Sequence, residues 1–203
     1  MSRGADHAGR TTGVGALALL ATAWLMAAAP ASALEFADVK GHLLIGFSHV
    51  STSDSTDTPA GSISIGGGVD IPVADRFRAG IDLGYHLLGS RTLEQGSLTS
   101  GLDYSVFEVL ALAHWSPLSS GPDLTISGGP GLFMANAELA ATSVGLAFVP
   151  LAVNETTVGA ALSVGVAKRT TSPVRAGLDL GLRWIPLEDE RWTLFSARIV
   201  VRY

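Results

Sequence analysis

The chain has 203 residues, of which 47% are hydrophobic and only 15% are charged, and its formal net charge is −5. This composition is apolar for a soluble domain, but no run of about 18 apolar residues occurs beyond the N-terminal region, so no membrane-spanning helix is predicted in the mature chain. The absence of cysteine excludes disulfides and thiolate metal sites, and an acidic chain without basic clusters argues against a nucleic-acid partner.

The first 33 residues have the pattern of a secretory signal peptide. Arg3 and Arg10 precede an apolar segment from Val14 to Ala29, and Ala31-Ser32-Ala33 forms an A-x-A cleavage site. The sequence therefore predicts a signal peptide over residues 1–33 and a mature domain over residues 34–203. An uncleaved signal anchor is the alternative.

Alternation of apolar and polar residues with a period of two predicts strands in the mature chain. The first two strands are His42 to Val50 and Gly61 to Val73, joined by a polar loop over residues 51–60. The third is the most regular, since Phe77 to Leu88 (FRAGIDLGYHLL) carries apolar side chains at odd positions and Arg, Asp, His or glycine at even positions up to 86. A strand of this length suits a tilted membrane crossing.

Five further strands follow with the same alternation: Leu102 to Trp115, Leu124 to Asn136, Thr157 to Lys168, Val174 to Trp184 and Trp192 to Tyr203. The seventh strand, VRAGLDLGLRW, nearly repeats the third. In the fourth strand, Leu110 and Leu112 share the parity of Glu108, so a bulge that shifts the register is an open alternative. Long connections are predicted at 51–60, 90–101, 137–155 and 186–191, and short turns at 74–76, 117–122 and 169–173.

The connection after the fifth strand is unusual because residues 137–153 are apolar. Gly145 to Val153 has the composition of a ninth strand. A meander with both ends on one side of a membrane needs an even number of strands, so we interpret 137–155 as a loop, partly extended or helical.

Charged residues fall on only one face of the long strands. This favours an all-β fold, an eight-stranded antiparallel up-and-down transmembrane β-barrel with lipid outside and polar groups inside. A β-sandwich is the structural alternative, but it explains neither the strand lengths nor the alternation of long and short connections.

The mature chain resembles the small eight-stranded outer-membrane barrels of Gram-negative bacteria, the OmpA and OmpX type. The signal peptide, the eight alternating strands and the final strand FSARIVVRY carry this resemblance. It implies an outer-membrane location, contact with outer-membrane lipid, and a C-terminal strand recognised by the barrel-assembly machinery. In this chain that signal would consist of Phe195, Ala197, Ile199, Val201 and Tyr203.

The parity of the strands predicts which ionisable side chains face the lumen. These are Asp70, Arg78, Asp82, His86, Glu108, Arg175, Asp179, Arg183, Arg198 and Arg202. The interior of an eight-stranded barrel is just wide enough to be filled by side chains, so we expect a paired structural network, with Asp179 diagonal to Arg198. A path for ions or solutes is the alternative.

Aromatic residues are expected to form two girdles at the membrane interfaces. Phe77, Trp115 and Tyr203 are assigned to the periplasmic rim. The outer rim is assigned Phe47, Tyr85, Tyr104, Trp184 and Trp192.

The predicted function is a non-enzymatic outer-membrane barrel with a structural or surface-interaction role, present as a monomer and without cofactors or metals. The loops 51–60, 90–101 and 137–155 are the expected contacts for an extracellular ligand. A narrow channel for small or apolar solutes is the first alternative. A lipid-modifying enzyme is the second, because His49 and Ser51 share the outward parity of Phe47 and form a His-x-Ser pattern, as in lipid A deacylases of the PagL type.

Overall fold

The computed structural model describes residues 39–52, 62–95, 98–142, 151–172, 174–188 and 190–203. The predicted signal peptide lies outside these residues, so its cleavage after Ala33 stays a prediction. Residues 53–60 of the predicted first loop also lie outside them.

Eight strands form one closed barrel in which each strand pairs antiparallel with its sequence neighbours and β8 pairs with β1. The strands are β1 (Lys40–Thr52), β2 (Ser62–Ala74), β3 (Phe77–Gln95), β4 (Leu98–Trp115), β5 (Asp123–Thr142), β6 (Leu151–Ala167), β7 (Arg175–Pro186) and β8 (Arg191–Arg202). The predicted all-β, eight-stranded up-and-down barrel is confirmed. No helix in the described ranges has the length and apolarity needed to cross a membrane.

The period-two alternation determines which side chains enter the lumen. On β3, Asp82 is buried while Leu83 is half exposed, and on β7, Asp179 is buried while Leu180 is exposed. The β4 register needs no bulge at Glu108, because Leu110 and Leu112 point inward with it and are buried. The outer wall is consequently apolar, with Phe47 71% and Leu178 64% exposed.

The two ends of the barrel differ. The terminal end holds Lys40, Tyr203 and the turns at 75–76, 116–122 and 168–174, and the other end is called the distal end below. Strands β3 to β6 have 19, 18, 20 and 17 residues, whereas the other four have 12 or 13. The central four strands therefore continue at the distal end, beyond the ends of their neighbours.

This continuation corrects two predicted loops. The 90–101 segment belongs mostly to β3 and β4, which pair as far as Gln95 and Leu98. Residues 137–142 belong to β5 and residues 151–155 to β6, which pair as far as Leu139 and Leu151. The predicted alternation of long and short connections is also wrong, because only residues 96–97 lie between β3 and β4 while the turn at 116–122 has seven residues. The physical reason is that a strand which has left the apolar layer no longer needs apolar outward residues, so its polar composition imitates a loop.

The aromatic prediction is correct at the terminal end and partly wrong at the distal end. Phe77 and Trp115 stack with ring centroids 6.4 Å apart, and Tyr203 is exposed on the outer surface at the same end. Trp192 is buried, and Tyr104 packs against it edge-to-face with centroids 5.9 Å apart. Both residues have inward parity on their strands, so they fill the lumen instead of joining an outer girdle.

Backbone contacts close the seam between the first and last strands. The Gly41 and Tyr203 amides each donate to the other's carbonyl, at 3.1 and 3.0 Å. Further along, a Cβ on Gly46 would overlap the carbonyl oxygen of Ala197, so glycine permits the close approach of β1 and β8 there.

Candidate functional site

The lumen is the first place to look for function, and it has two zones. The distal zone is apolar and forms most of a buried cluster, whose member Leu112 reaches the cavity beside His42; the cluster is made of Val50, Leu88, Val106, Leu110, Leu112, Phe133, Ala135, Ala161, Ile185, Trp192 and Leu194. The zone nearer the terminal end contains three groups of ionisable side chains. An apolar layer inside the lumen was not expected from the sequence, which predicted polar groups there.

The first group surrounds His42, which lies between two carboxylates. Its Nδ1 is 3.3 Å from Asp70 Oδ1, and its Nε2 is 3.1 Å from Asp82 Oδ1. Arg78 Nη1 lies 3.2 Å from the other oxygen of Asp70. A histidine with an acceptor at each ring nitrogen is held in one orientation, so this group is a fixed structural element.

The central group surrounds Glu108, a carboxylate that is only 1% exposed. The Arg183 guanidinium donates to both of its oxygens, from Nε at 3.1 Å and from Nη2 at 3.2 Å. His86 Nε2 lies 3.3 Å from Glu108 Oε1, and Arg198 Nη1 lies 3.8 Å from the same oxygen. The two-pronged Arg–carboxylate contact is the strong form of such pairs and joins β4 to β7 across the lumen.

Arg198 connects this centre to Asp179, to which its Nη2 donates at 2.8 Å. The two residues lie directly opposite each other in the β7–β8 ladder, so the expectation of a diagonal pair is corrected while their contact is observed.

The third group lies at the mouth of the terminal end. Asp123 Oδ2 is 3.6 Å from Arg202 Nη1 and 3.8 Å from Arg175 Nη1. Arg202 also donates to Thr125 Oγ1 at 3.2 Å. These longer distances fit a wetter and looser site than the central group.

The structure thus distributes the ten predicted lumen residues over these groups. Asp70, Arg78 and Asp82 share the first group, and Arg175 and Arg202 share the third. The other five are in or beside the central group: His86, Glu108, Asp179, Arg183 and Arg198. Sequence reasoning left out His42 and Asp123, although the even parity of β1 and an earlier start of β5 would have identified them.

The groups leave little free space. The cavity between His42, Asp82, His114, Asp179 and Arg198 has a volume of about 20 Å³, room for about one water molecule. The ion pairs of the three groups contain five carboxylates and five guanidinium groups, so the formal charges of the carboxylates and guanidiniums cancel. Charge balance and filled volume are the properties of a plug.

The outward His-x-Ser pattern is the candidate for chemistry. His49 is exposed and lies opposite Phe195, and Ser51 lies opposite Thr193. In the described part of β1, β2 and β8, no outward Asp or Glu accompanies them to orient the imidazole. The arrangement therefore lacks the third member that a Ser–His mechanism requires.

Comparisons with known proteins give matches of fold. No protein-family model matches the sequence, and no curated protein matches it. Among solved structures, the chain is similar to Ail, the attachment invasion locus protein of Yersinia pestis, in complex with the heparin analogue sucrose octasulfate, with a TM-score of 0.56 and 11% identity over 82% of this chain and 99% of Ail.

Two further solved structures are similar to a comparable degree. Neisserial surface protein A has a TM-score of 0.54 and 15% identity, over 82% of this chain and 97% of that one. A major outer membrane protein from Thermus thermophilus has a TM-score of 0.54 and 10% identity, over 81% of this chain and 99% of that one. At these identities the likeness concerns the fold, and it confirms the resemblance to small outer-membrane barrels.

Proposed function

We propose that this chain is an integral barrel of the bacterial outer membrane with a sealed lumen, and that its role is structural or surface-interacting rather than transport or catalysis. Its terminal end faces the periplasm and its distal end faces outward. The outward apolar positions of β3 run from Phe77 to Leu87. At about 3.3 Å per residue and a tilt of about 40°, ten steps span about 25 Å, the thickness of the apolar band in such barrels.

The observation that carries the proposal is the filling of the lumen in two zones. Water or an ion would have to separate the Glu108–Arg183 pair and then pass the layer that contains Phe133, Ile185 and Leu194, each less than 1% exposed. Separating a buried ion pair and hydrating an apolar layer are both unfavourable. This supports a structural network over the alternative of a narrow channel.

The proposal also assigns no catalytic role to His49 and Ser51. His49 lies on the outer wall beside Phe47 and Phe195, at the level where outward residues change from apolar to polar. An imidazole there is suited to the interface between lipid and water.

The outward surface at the distal end is the expected contact region for a partner. Its described ionisable residues are mostly acidic: Asp103 and Glu138 face outward on β4 and β5, Glu188 and Glu190 lie in the last connection, and Arg191 is the base. Ail was crystallised with a sulfated ligand. Acidic side chains repel sulfate, so we propose that the partner of this chain is neutral or cationic.

Two further partners belong to the proposal. The outward side chains of β8, from Phe195 to Tyr203, form a continuous apolar row that the barrel-assembly machinery would read. The apolar wall contacts outer-membrane lipid, and a monomer is sufficient because the barrel closes on itself.

Single-channel recording in planar bilayers tests the sealed lumen. We expect no conductance steps from the refolded barrel under conditions in which a wide porin gives them. As a matched control, the Arg183→Ala and Phe133→Ala double variant removes one side chain from each zone and should produce leak. Regular conductance steps from the wild-type barrel would overturn the proposal and favour the channel.

A further inference from the structure

A second concave site lies on the outside of the barrel, where β3 to β6 leave the apolar belt. This rim cavity has a volume of about 560 Å³, within the range of small-molecule sites. It is lined by Tyr85, Leu87, Gly89, Ser90, Asp103, Tyr104, Ser105, Asn136, Ala137, Glu138 and Asn154.

The lining changes in polarity along the barrel axis, as the ladder pairs show. The row nearest the middle of the bilayer contains Tyr85 opposite Phe107, and both side chains lie on the apolar outer wall. The next row contains Ser105 opposite Asn136, which in turn lies opposite Asn154. The outermost row has carboxylates, so the cavity is apolar toward the bilayer, neutral polar in the middle and acidic at its outer end.

A β-bulge shapes the floor of the cavity. The β3–β4 register shifts between Leu87 and Gly89, and Gly89 has a φ of 82°, a conformation that favours glycine. Leu88 turns into the lumen and is buried in the apolar cluster. Gly89 lies opposite Tyr104, and the next residue, Ser90, faces outward opposite Asp103.

The two carboxylates at the outer end are neighbours. Asp103 and Glu138 lie directly opposite each other in the β4–β5 ladder, and both are exposed. Within the described ranges, neither carboxylate has an ion-pair or hydrogen-bond partner. Like charges directly opposite each other on one face of a sheet repel, and a cationic group between them removes the repulsion.

We propose that the rim cavity binds an amphiphile with a primary ammonium head and a single apolar chain. The ammonium group lies between Asp103 and Glu138, the hydroxyl and amide groups of the middle row accept its remaining hydrogen bonds, and the chain lies against Tyr85 and Leu87 toward the bilayer. An anionic amphiphile is repelled, and an uncharged one loses the head contact. The inference rests on the membrane placement proposed above and gives the cationic partner of the distal end a definite site.

Dodecylamine is a suitable probe because its amine is protonated at neutral pH. Titration into the refolded barrel in nonionic micelles, followed by backbone amide shifts, should give saturable shifts at residues 103, 105, 136 and 138. Asp103→Asn and Glu138→Gln should each weaken binding roughly fivefold, as expected for the loss of one partly exposed charge contact, and the double variant should weaken it further. Asp75→Asn changes an exposed acid on the 75–76 turn at the terminal end, away from the cavity, and should leave the affinity unchanged.

Three results would overturn the inference. Dodecanol binding at these residues with the same affinity would remove the role of charge. Ammonium or calcium ions alone giving the same shifts would make the site a simple cation site. If both carboxylate variants bind dodecylamine as tightly as the wild type, and their gel mobility shows that they are folded, the amine binds elsewhere. The conductance test decides the sealed lumen separately, because loss of amine binding on the outer wall leaves the lumen unchanged.

Discussion

The Glu108–Arg183 contact offers the most direct test of the lumen network. Arg183→Met removes a guanidinium that is 2% exposed and keeps most of the side-chain volume. Removing one partner of a buried pair costs about 3–5 kcal/mol because the remaining charge is left uncompensated. His86 and Arg198 stay within 3.3 and 3.8 Å of Glu108 Oε1, so we expect the lower end, about 3 kcal/mol, or about 150-fold in the unfolding equilibrium.

Equilibrium urea unfolding in detergent micelles, followed by tryptophan fluorescence and checked for reversibility, measures this change. Glu108→Met should cost a similar amount, and the double variant should recover at least about 1 kcal/mol of the summed losses, since two apolar side chains replace the pair. Arg76→Met is the matched control, because the Arg76 side chain is exposed on a turn and bonds only the Pro117 carbonyl in the described region; its effect should stay within about 0.5 kcal/mol. Additive losses in the double variant would refute the coupling.

Three other predictions follow from the outer wall, the seam and the leader. Leu83→Arg and Leu180→Arg should each lower the free energy of unfolding in bilayers by about 2–4 kcal/mol, because both side chains face outward in the apolar belt, and unchanged stability would place them outside lipid. Gly46→Ala should reduce the yield of the folded, heat-modifiable gel species, because its Cβ meets backbone at the seam, whereas Gly128→Ala has its nearest atom at 3.5 Å and should fold normally; equal yields would contradict the seam contact. Mass spectrometry of the mature protein should give an N-terminus at residue 34, and an intact leader would exclude cleavage after Ala33.

The sequence was sufficient to predict the architecture because the alternation of residues along a membrane strand shows which side chains face lipid and which face the lumen. The near-repeat of FRAGIDLGYHLL and VRAGLDLGLRW places Leu83 and Leu180 outside and Asp82 and Asp179 inside, and the structure agrees at all four positions. Strand ends were harder to predict. Outside the apolar layer the alternation constraint disappears, so the extensions of β3 to β6 looked like loops.

The ion pairs inside the lumen could not be predicted from the sequence, except between residues of one hairpin. Asp179 and Arg198 are adjacent in the β7–β8 ladder, so their contact follows from the turn between them. Glu108 and Arg183 lie on β4 and β7, and His42 reaches Asp82 from β1 to β3. Such contacts depend on the diameter of the barrel and on the stagger of its strands, and the alternation of residues along a strand determines neither. The rim cavity was missed for a similar reason, because it depends on the bulge at Gly89.

The two-zone lumen makes solvent access to the buried charges one-sided. Arg175 at the terminal mouth has 37% of its side chain exposed and Arg202 has 17%, whereas Arg183 has 2% and lies under the apolar layer. Solvent therefore reaches the network at the terminal mouth, where Arg175 and Arg202 are its exposed members. If that mouth opens to the periplasm, the solvent that touches the network is periplasmic, and the apolar layer separates the network from the medium outside the cell.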